Sequence, residues 1–595
     1  MGGSIMGLGL GSPMARSSSV IHGVIRRFAS TRMVDIIGKR IAVIGGVAGG
    51  ASAAARARRM SEDAEITVFE RGPYVSFANC GLPYYVGNVI KSQDKLVLAS
   101  PELFMKRYNI RVHTNTEVMR IDTRGKVLVV KKTSDDSGES SVWLHPYDEL
   151  VLSPGATAIK PSIPGIDLPG IFSIRTVPDS EHVRQYIEDT KAKSAVVVGG
   201  GFIGLEMAEN LHHLGLKTTI IEGLPQVMAP LDAEMIAPVH DRIRASGSEL
   251  LLEEQVTSFE RKDTGGPITV TTAAGKTIES DIVIMSIGVR PVVDLAKAAG
   301  IELGRKGGIS VDASMRTSQP HIYAVGDAIE TENVVSGEHE LVPLAGPANR
   351  QGRVAADNAV TDRQVRFRGV QSTSVCGVFG LTVASTGLSE KTLKKLGREY
   401  AKVYLHPGHH VSYYPGAKTI DFKLLYDPKS GQVLGAQGVG EEGVERRIDV
   451  LAVAIQGKMT VFDLEEVELC YAPAYGSAKD ITNMAGMVAA NFIRGDHPTL
   501  HADQVQLGDY FLLDVREQSE FQAGHIPNAT NVPLSELRQR MDELPLDRPI
   551  LCYCAVGQRG YNATRALMQN DFEVYNLSGG FRTYMAAKAA NLLLE

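Results

Sequence analysis

The sequence predicts an α/β protein in which two dinucleotide-binding domains of the Rossmann type precede an α+β domain and a small C-terminal α/β domain. The strand–glycine loop–helix–strand unit typical of such domains occurs twice, at 39–70 and 194–222. From about residue 366 the pattern becomes strand-rich, and a new alternation of strands and helices begins near residue 500. Two nucleotide units in one chain imply two bound nucleotides that exchange electrons.

Length and composition limit the possible functions. A chain of 595 residues is long enough for about three to four domains. The net charge of −6 gives no reason to expect a nucleic-acid partner, and no uncharged apolar run reaches the roughly 18 residues of a membrane span. The cysteines form neither a disulfide framework nor a zinc pattern, so we expect a reducing compartment and no metal. They are Cys80, Cys376, Cys470, Cys552 and Cys554.

The first 34 residues differ in composition from the rest. They contain four arginines and several serines but no Asp or Glu. This composition is typical of an organelle transit peptide, and Arg26-Arg27-Phe28 resembles a mitochondrial processing site with cleavage before Ala29. We therefore predict a transit peptide at 1–34 and a mitochondrial matrix location. The alternative is an extension of a cytoplasmic protein.

The first nucleotide unit has an imperfect glycine motif. A buried strand ends at Gly45, the loop runs to Gly50, and a helix continues through Met60. Val47 stands at the middle glycine position, which weakens the fingerprint, but the second strand ends in an acid that could hydrogen-bond a ribose. The candidate cofactor-binding residues here are Gly45, Gly46, Val47, Gly50, Glu70 and Arg71.

The second nucleotide unit carries the full motif. Gly199 allows the turn, Gly201 lets a pyrophosphate approach, and Gly204 packs the helix on the strand. The helix N-terminus offers N–H groups to the phosphates. Glu222, at the end of the second strand, would accept from a 2′-hydroxyl and repel a 2′-phosphate. NADH is therefore favoured, with NADPH possible.

A reactive-looking cysteine follows the first unit, in the stretch Ser76–Tyr85. Cys80 stands between Asn79 and Gly81, where a helix start would lower the thiol pKa. Dithiol flavoenzymes need a second cysteine five residues on, and this chain has Tyr85 there. Any redox chemistry would then use one protein sulfur and one substrate atom. The alternative is a buried, inert cysteine.

A later motif resembles two-dinucleotide-domain flavoproteins. Gly326-Asp327 is similar to their late FAD motif, in which the aspartate contacts the ribityl chain and flavin phosphate. The runs 149–156 and 281–288 resemble their two crossings between FAD and NAD domains. The resemblance implies a discontinuous FAD domain at 35–155 and 280–365, with the NAD domain inserted at 156–279. The further cofactor-binding candidates are Ser153, Gly155, Gly288, Gly326, Asp327 and Ala345.

The remaining chain predicts two more domains. At 366–495 a hairpin of Phe422–Tyr426 with Val433–Gln437 precedes a helix at 443–457, similar to the interface domain of those flavoproteins. At 500–595 a central strand runs into Cys554, and a glycine-containing turn leads into a helix. A thiolate at such a turn is ringed by backbone N–H groups.

These motifs together resemble known families. Residues 35 to about 490 resemble the single-cysteine pyridine-nucleotide:disulfide oxidoreductases, which include coenzyme A-disulfide reductase, NADH oxidase and NADH peroxidase. Residues 500–595 resemble a rhodanese domain through Asp514-Val-Arg, Gly524-His-Ile-Pro and Cys554-x-x-Gly-x-Arg559. The combination is similar to coenzyme A-disulfide reductase–rhodanese fusions, also described as coenzyme A persulfide or polysulfide reductases.

The resemblance implies roles for further residues. Ser76 and Asn79 would contact the coenzyme A arm, and Arg56 and Arg59 its nucleotide, with Arg58 adding positive charge. Oxidases and peroxidases typically have a histidine in the first glycine loop, and none occurs from Lys39 through Asn79. The catalytic candidates are Cys80, Cys554 and Arg559, with Tyr413, Tyr414 and Tyr471 reaching the cysteine of the partner subunit.

The expected activity follows from the same resemblance. NADH would reduce FAD, and electrons would pass to Cys80, which rests as a mixed disulfide with coenzyme A. Once released, the Cys80 thiolate near the flavin would have a depressed pKa. The substrate would be coenzyme A disulfide, a persulfide or a polysulfide, while the rhodanese domain handles sulfane sulfur. The chain would form a homodimer through 366–495. The alternatives are an NADH oxidase or peroxidase that uses a cysteine sulfenic acid, and a slow flavin-linked redox sensor.

Overall fold

The computed structural model describes residues 38–132, 141–263 and 265–594. The transit peptide predicted at 1–34 lies outside the described residues. Among the described helices, none is both long enough and apolar enough to cross a membrane.

The first part of the chain builds a five-stranded parallel sheet in the order β19-β7-β1-β2-β3. Buried aliphatic residues fill its strands, as expected for a sheet covered on both faces. Its neighbour is a small antiparallel sheet, β4-β5-β6. The elements are β1 Arg40–Ile44, α1 Ala48–Met60, β2 Glu65–Phe69, α2 Leu82–Val86, α3 Pro101–Tyr108, β3 Arg111–His113, β4 Thr116–Asp122, β5 Val127–Lys132, β6 Val142–Pro146, β7 Glu149–Leu152, β8 Ala156–Ala158 and β9 Ile171–Phe172.

A second parallel sheet, in the order β12-β11-β10-β16-β9, follows in the chain. The chain then returns to the first sheet through β19, which pairs with β7, and α8 packs along α1. The second sheet is thus inserted in the sequence of the first. The elements are α4 Val177–Thr190, β10 Ser194–Val198, α5 Phe202–His213, β11 Lys217–Ile221, α6 Ala233–Ala245, β12 Glu249–Leu251, β13 Val256–Glu260, β14 Ile268–Thr272, β15 Thr277–Ser280, β16 Ile282–Met285, β17 Val289–Pro291, α7 Asp294–Ala298, β18 Ile309–Ser310, β19 Ile322–Ala324, β20 Ile329–Glu332, β21 His339–Leu341 and α8 Ala345–Val360.

An antiparallel sheet in the order β22-β23-β26-β25-β24 forms the third part. The predicted hairpin is confirmed as β25 paired with β26, and the predicted helix as α10, which packs on β23 and β26. The elements are β22 Ser374–Val378, β23 Leu381–Gly387, α9 Glu390–Lys395, β24 Ala401–Leu405, β25 Ile420–Tyr426, β26 Val433–Gly440, α10 Val444–Gln456, α11 Val461–Glu466 and α12 Ile481–Ile493.

The C-terminal part is a parallel sheet in the order β27-β31-β30-β28-β29, with a hydrophobic cluster on each face. The central strand β30 alternates between these clusters, so that Cys552 faces one and Tyr553 the other. The elements are β27 Thr499–Leu500, β28 Phe511–Asp514, α13 Gln518–Ala523, β29 Thr530–Asn531, β30 Ile550–Tyr553, α14 Gln558–Met568, β31 Val574–Leu577 and α15 Gly580–Ala589.

A buried ionic cluster joins three parts of the molecule. The fully buried Lys423 ammonium on β25 contacts Asp232 at 2.9 Å, Glu234 at 2.5 Å and Glu390 at 2.6 Å. A second buried ammonium bridges from Glu390 to the C-terminal part; it is Lys402, 2.7 Å from Asp503. We call these six residues the buried ionic cluster. Removing one partner from such a set would leave an uncompensated buried charge.

Candidate functional site

Two clefts meet at Cys80. The first, of about 560 Å³, lies at the first glycine loop, and the second, of about 1270 Å³, lies at the second glycine loop. We call them the first cleft and the second cleft. The residues that line both are Asn79, Cys80, Arg175, Pro343 and Ala345. A group bound in either cleft therefore lies next to the same sulfur.

The first glycine loop explains its own imperfect motif. Gly45 has a φ of +91°, and a Cβ there would lie 2.0 Å from the carbonyl oxygen of Ser153, so only glycine fits. Val47 has a φ of −98°, which any residue can adopt. A Cβ at Gly50 would lie 1.8 Å from the carbonyl oxygen of Gly45, so this glycine brings helix and strand together. The backbone of this loop therefore accepts the valine.

Glu70 fixes the first loop from the end of β2. Its two carboxylate oxygens accept hydrogen bonds from the backbone N–H groups of Gly46 and Gly72, each at 2.8 Å. The carboxylate also lines the first cleft. The other predicted residues that line it are Gly45, Val47, Arg71, Ser153, Gly155, Gly326, Asp327 and Ala345. This set of glycines, hydroxyl and acids fits a dinucleotide such as FAD.

The second loop repeats the same construction. Gly199 has a φ of +109°, and a Cβ at Gly204 would lie 2.0 Å from the carbonyl oxygen of Gly199. Glu222 accepts from Gly200 N at 2.6 Å and Leu224 N at 2.9 Å. Gly201 and Gly288 line the second cleft, and no atom outside the immediate chain lies within 4 Å of a Cβ placed on Gly201. A phosphate can approach this backbone closely.

Cys80 lies in the 3₁₀ turn Asn79–Gly81, which leads into the short helix α2. Its side chain is exposed. Ser76, at a φ of +50°, donates its backbone N–H to the carbonyl of Gly46 at 2.8 Å, and the amide of Asn79 donates to the carbonyl of Arg175 at 2.9 Å. The turn is thus tied to the first glycine loop and to the approach to α4.

The charges around Cys80 overturn one prediction. Desolvation by the surrounding protein raises the pKa of the thiol, Glu206 and Asp327 raise it further, and Arg175 opposes them. The helix that follows has only five residues, so its dipole contributes little. The predicted lowering of the Cys80 pKa by a helix start is therefore wrong for the chain alone, while the depression predicted beside the flavin stays a prediction. A stable thiolate requires additional positive charge or hydrogen bonds.

Arg175 and Glu206 are two charged residues near Cys80 that the sequence motifs did not predict. Arg175 pairs with Asp327 at 2.5 Å and donates to the carbonyl of Ala156. Glu206, on α5, accepts a hydrogen bond from the Tyr84 hydroxyl at 3.1 Å, and burial raises its pKa. The only sequence signal was Glu206 lying five residues after Gly201, on the helix that the motif predicts.

The three arginines of α1 have different surroundings. Arg58 is buried and donates to five backbone carbonyls, so its predicted availability as a binding charge is wrong. Arg56 forms a two-point ion pair with Asp357 on α8, at 2.6 and 3.0 Å. Arg59 is exposed, with its guanidinium 5.8 Å from the ring centre of Tyr108. Arg59 is thus the arginine of this helix most open to a ligand.

The predicted tyrosines lie on the surface of the third part. Tyr413 and Tyr471 are 72% and 46% exposed, and their hydroxyls are 2.9 Å apart. Tyr414 is 44% exposed and packs edge-on against His410. None of these three side chains lines the first or second cleft of its own chain.

The second sulfur site is built around Cys554, directly after β30. The side chain is fully buried, and the backbone N–H of Gly557 donates to its sulfur at 3.2 Å. Gly557 has a φ of +97° and caps α14. Arg559 forms a two-point ion pair with Glu520, both contacts at 2.7 Å. Glu520 was not predicted, because it lies 39 residues away in sequence.

The predicted Asp514-Val-Arg motif links the elements next to the Cys554 site. Arg516 donates to both carboxylate oxygens of Asp514, and its guanidinium lies 4.5 Å from the ring centre of Phe581. Both charged residues are buried. Their role here is to fix β28 and the start of α15.

Three family descriptions match the chain. Pyridine nucleotide-disulphide oxidoreductase matches residues 39–352, its dimerisation domain 373–480, and the rhodanese-like domain 498–587. The first match alone spans more than half of the chain. The chain belongs to the pyridine nucleotide-disulphide oxidoreductase family. This oxidoreductase carries its two cysteine sites in the regions matched by the first and last descriptions.

Similar proteins share this domain combination in whole or in part. A coenzyme A disulfide reductase of Staphylococcus haemolyticus is 35% identical over 452 residues, which cover 76% of this chain and 99% of that protein. The structure of reduced Bacillus anthracis CoADR-RHD is 43% identical, with a TM-score of 0.90 over 94% of this chain and 99% of that one. A NAD-dependent persulfide reductase from A. fulgidus is 37% identical, with a TM-score of 0.85 over 92% and 100%.

Proposed function

We propose that this oxidoreductase uses NADH, with FAD as its bound cofactor, to reduce coenzyme A disulfide or a coenzyme A persulfide at Cys80. Cys554 would carry sulfane sulfur in the same cycle. The observation that supports this most directly is the position of Cys80 where the two nucleotide-type clefts meet. The relatives named as coenzyme A disulfide reductase and persulfide reductase support the substrate class.

The first cleft would hold FAD and the second NADH. Bound FAD supplies two-electron transfer between a nicotinamide and a sulfur. Glu70 and Glu222 keep their loops in place through backbone N–H groups and still offer carboxylate lone pairs to a ribose. Glu222 would repel a 2′-phosphate, so NADH is preferred, and NADPH is the weaker alternative.

The substrate step follows from the single sulfur at this site. The Cys80 thiolate attacks coenzyme A disulfide, a new sulfur–sulfur bond forms, and one coenzyme A leaves as a thiolate with the electron pair of the broken bond. Two electrons from NADH then open the mixed disulfide and release the second coenzyme A thiol. With a persulfide, attack on the outer sulfur releases coenzyme A thiol, and reduction releases sulfide. The buried Tyr85 offers no second sulfur.

Residues around this sulfur would bind coenzyme A. Ser76 and Asn79 would contact its arm, and Arg59 its phosphates, because that guanidinium is exposed. Arg56 would take part only by sharing its charge between the ligand and Asp357. At the other site Arg559 would hold the anionic sulfur donor.

The larger organisation is proposed on the same basis. The FAD domain would comprise 35–155 and 280–365, the NAD domain 156–279, the dimerisation domain 366–495 and the rhodanese domain 500–595. A homodimer would bring Tyr413, Tyr414 or Tyr471 of one subunit to Cys80 of its partner. Residues 1–34 would direct import into the mitochondrial matrix.

Mass spectrometry of the protein as isolated tests the central proposal. We expect a coenzyme A adduct on the peptide that contains Cys80, its loss when NADH alone is added under argon, and its return when an excess of coenzyme A disulfide is then added. Cys470 is the matched control, because it is also exposed but lies elsewhere. Equal labelling of both cysteines, or NADH oxidation that requires oxygen and ignores coenzyme A disulfide, would contradict the proposal.

A further inference from the structure

The first turn of α15 is held by two residues of the antiparallel sheet region. The Arg582 guanidinium donates to both carboxylate oxygens of Asp421, at 2.5 and 2.9 Å. His406 lies between the two parts: its Nδ1 is 2.6 Å from Asp421 Oδ1, and its Nε2 is 2.7 Å from the Thr583 hydroxyl. We call these four residues the Asp421 clamp.

The same turn of α15 contacts the Cys554 loop through its backbone. The N–H of Phe581 donates to the carbonyl of Cys554 at 2.8 Å, and the N–H of Arg582 donates to the carbonyl of Ala555 at 3.0 Å. A Cβ at Gly580 would lie 2.3 Å from the Cys554 carbonyl oxygen, so the two backbones touch. A displacement of the α15 turn must therefore displace the loop.

The loop in turn sets the surroundings of the sulfur. The Cys554 side chain is fully buried, and its sulfur accepts a hydrogen bond from the backbone N–H of Gly557. Backbone N–H groups stabilise a thiolate only when they point at it, and this direction is set by the loop. Cys554 therefore depends on the position of α15.

The charge of the clamp is permanent under ordinary conditions. Burial by itself would raise the pKa of Asp421, but hydrogen bonds from His406 and Arg582 hold that pKa at about 2. Asp421 is thus a carboxylate at any pH where the enzyme would act. Its ion pair with Arg582 is partly shielded from solvent, which strengthens it.

We propose that Asp421 and His406 are positioning residues for Cys554: the neighbouring domain holds the sulfur-carrying loop in its reactive geometry through α15. This rests on the proposed role of Cys554 as the acceptor of sulfane sulfur. Sulfur transfer by the rhodanese-like region is then a property of the docked chain. The reduction site at Cys80 does not share this dependence.

The test uses full-length, FAD-loaded protein and thiosulfate as the sulfur donor. The Cys554 thiolate attacks the sulfane sulfur, a bond forms between the two sulfurs, and sulfite leaves with the electron pair of the broken bond. In Asp421→Asn we expect the rate of sulfur transfer from thiosulfate to Cys554 to fall about tenfold, the size of effect that follows from loss of a charge-assisted hydrogen bond. The pH midpoint for alkylation of Cys554 should rise. Asp421→Glu should restore part of the transfer rate and part of the alkylation midpoint.

NADH-dependent reduction of coenzyme A disulfide should stay within about twofold of wild type in Asp421→Asn. Glu441→Gln is the matched control, because it breaks a nearby ion pair with Arg242 at 2.7 Å that does not involve the C-terminal part. If Asp421→Asn does not fold, Thr583→Val takes its place as the test variant, because it removes only the hydroxyl that contacts His406.

The outcomes separate two failures. If wild-type Cys554 takes no sulfur from thiosulfate, the proposed role of Cys554 fails. If wild type reacts and Asp421→Asn reacts equally fast with an unchanged alkylation midpoint, the positioning role is overturned. Equal losses at both sulfur sites would also overturn it, because they would indicate a general loss of structure.

Discussion

The two cysteines that we propose as reactive lie in opposite environments. Cys554 is fully buried, and its sulfur accepts a hydrogen bond from the backbone N–H of Gly557, three residues later in the chain. Arg559 follows two residues after Gly557. Cys80 is exposed, and the charges that act on it come from Arg175, Glu206 and Asp327, far away in sequence. One sulfur site is thus built mainly by a local turn, and the other by the meeting of three segments.

This difference affects how each sulfur is activated. At Cys554 the loop supplies a hydrogen bond from its own backbone, the N–H of Gly557, and we propose that the neighbouring domain only holds its direction. At Cys80 desolvation by the surrounding protein raises the thiol pKa most, nearby carboxylates raise it further, and Arg175 is the cation that opposes them. The reduction site therefore depends more on what binds in the two clefts than the sulfur-transfer site does.

Exchanging one cysteine at a time gives the largest expected effect. Cys80→Ser should abolish NADH-dependent reduction of coenzyme A disulfide, by at least about 10³-fold, because the covalent step loses its nucleophile. It should leave thiosulfate sulfur transfer unchanged. Cys554→Ser should do the reverse, as measured by both assays on the same preparations. A loss of both activities in either variant would show that the sites are not separate.

The charges around Cys80 give an intermediate effect. Because Glu206 raises the Cys80 pKa and Arg175 lowers it, Glu206→Gln should lower the pH midpoint for alkylation of Cys80 and Arg175→Gln should raise it. The rate of alkylation of the Cys80 peptide against pH measures both. Glu209→Gln, on the same helix, should leave the midpoint in place. Shifts in the same direction for Glu206 and Arg175 would contradict this account.

The buried cysteines should give the smallest effect. Burial raises the pKa of Cys552 and of Cys376, so neither supplies a thiolate. Cys552→Ala and Cys376→Ala should each lower the free energy of unfolding by about 1–2 kcal/mol and change both activities by less than about twofold. Denaturant unfolding and the two assays measure this. A large loss of sulfur transfer in Cys552→Ala would show that β30 carries two functional sulfurs.

The sequence predicted the glycine loops well, because their constraints are local. The positive φ of Gly45 and Gly199 and the close contacts of Gly50 and Gly204 follow from the turn itself. The loop backbone also accepts Val47 for a local reason, because this residue has a negative φ. The acids at the ends of β2 and β11 belong to the same local pattern.

The charges of the site could not be predicted in this way. Arg56, Arg58 and Arg59 look alike in sequence, yet one is paired, one is buried against carbonyls and one is exposed. Arg175 acts on Cys80 through tertiary contacts, since its backbone carbonyl accepts a hydrogen bond from the Asn79 side chain. The pKa of Cys80 depended on these tertiary contacts rather than on the helix start that the sequence suggested.

The buried ionic cluster has a consequence for how the chain can be divided. Its carboxylates and ammonium groups come from segments assigned to three different family descriptions, and Lys423 and Lys402 each pair with a carboxylate from another segment. A fragment cut at a family boundary would carry away part of this balance. Removal of the segment with Asp503, for example, would uncover Lys402 and leave its ammonium with Glu390 alone. The family boundaries are therefore not places where the chain can be cut without leaving a buried charge uncompensated.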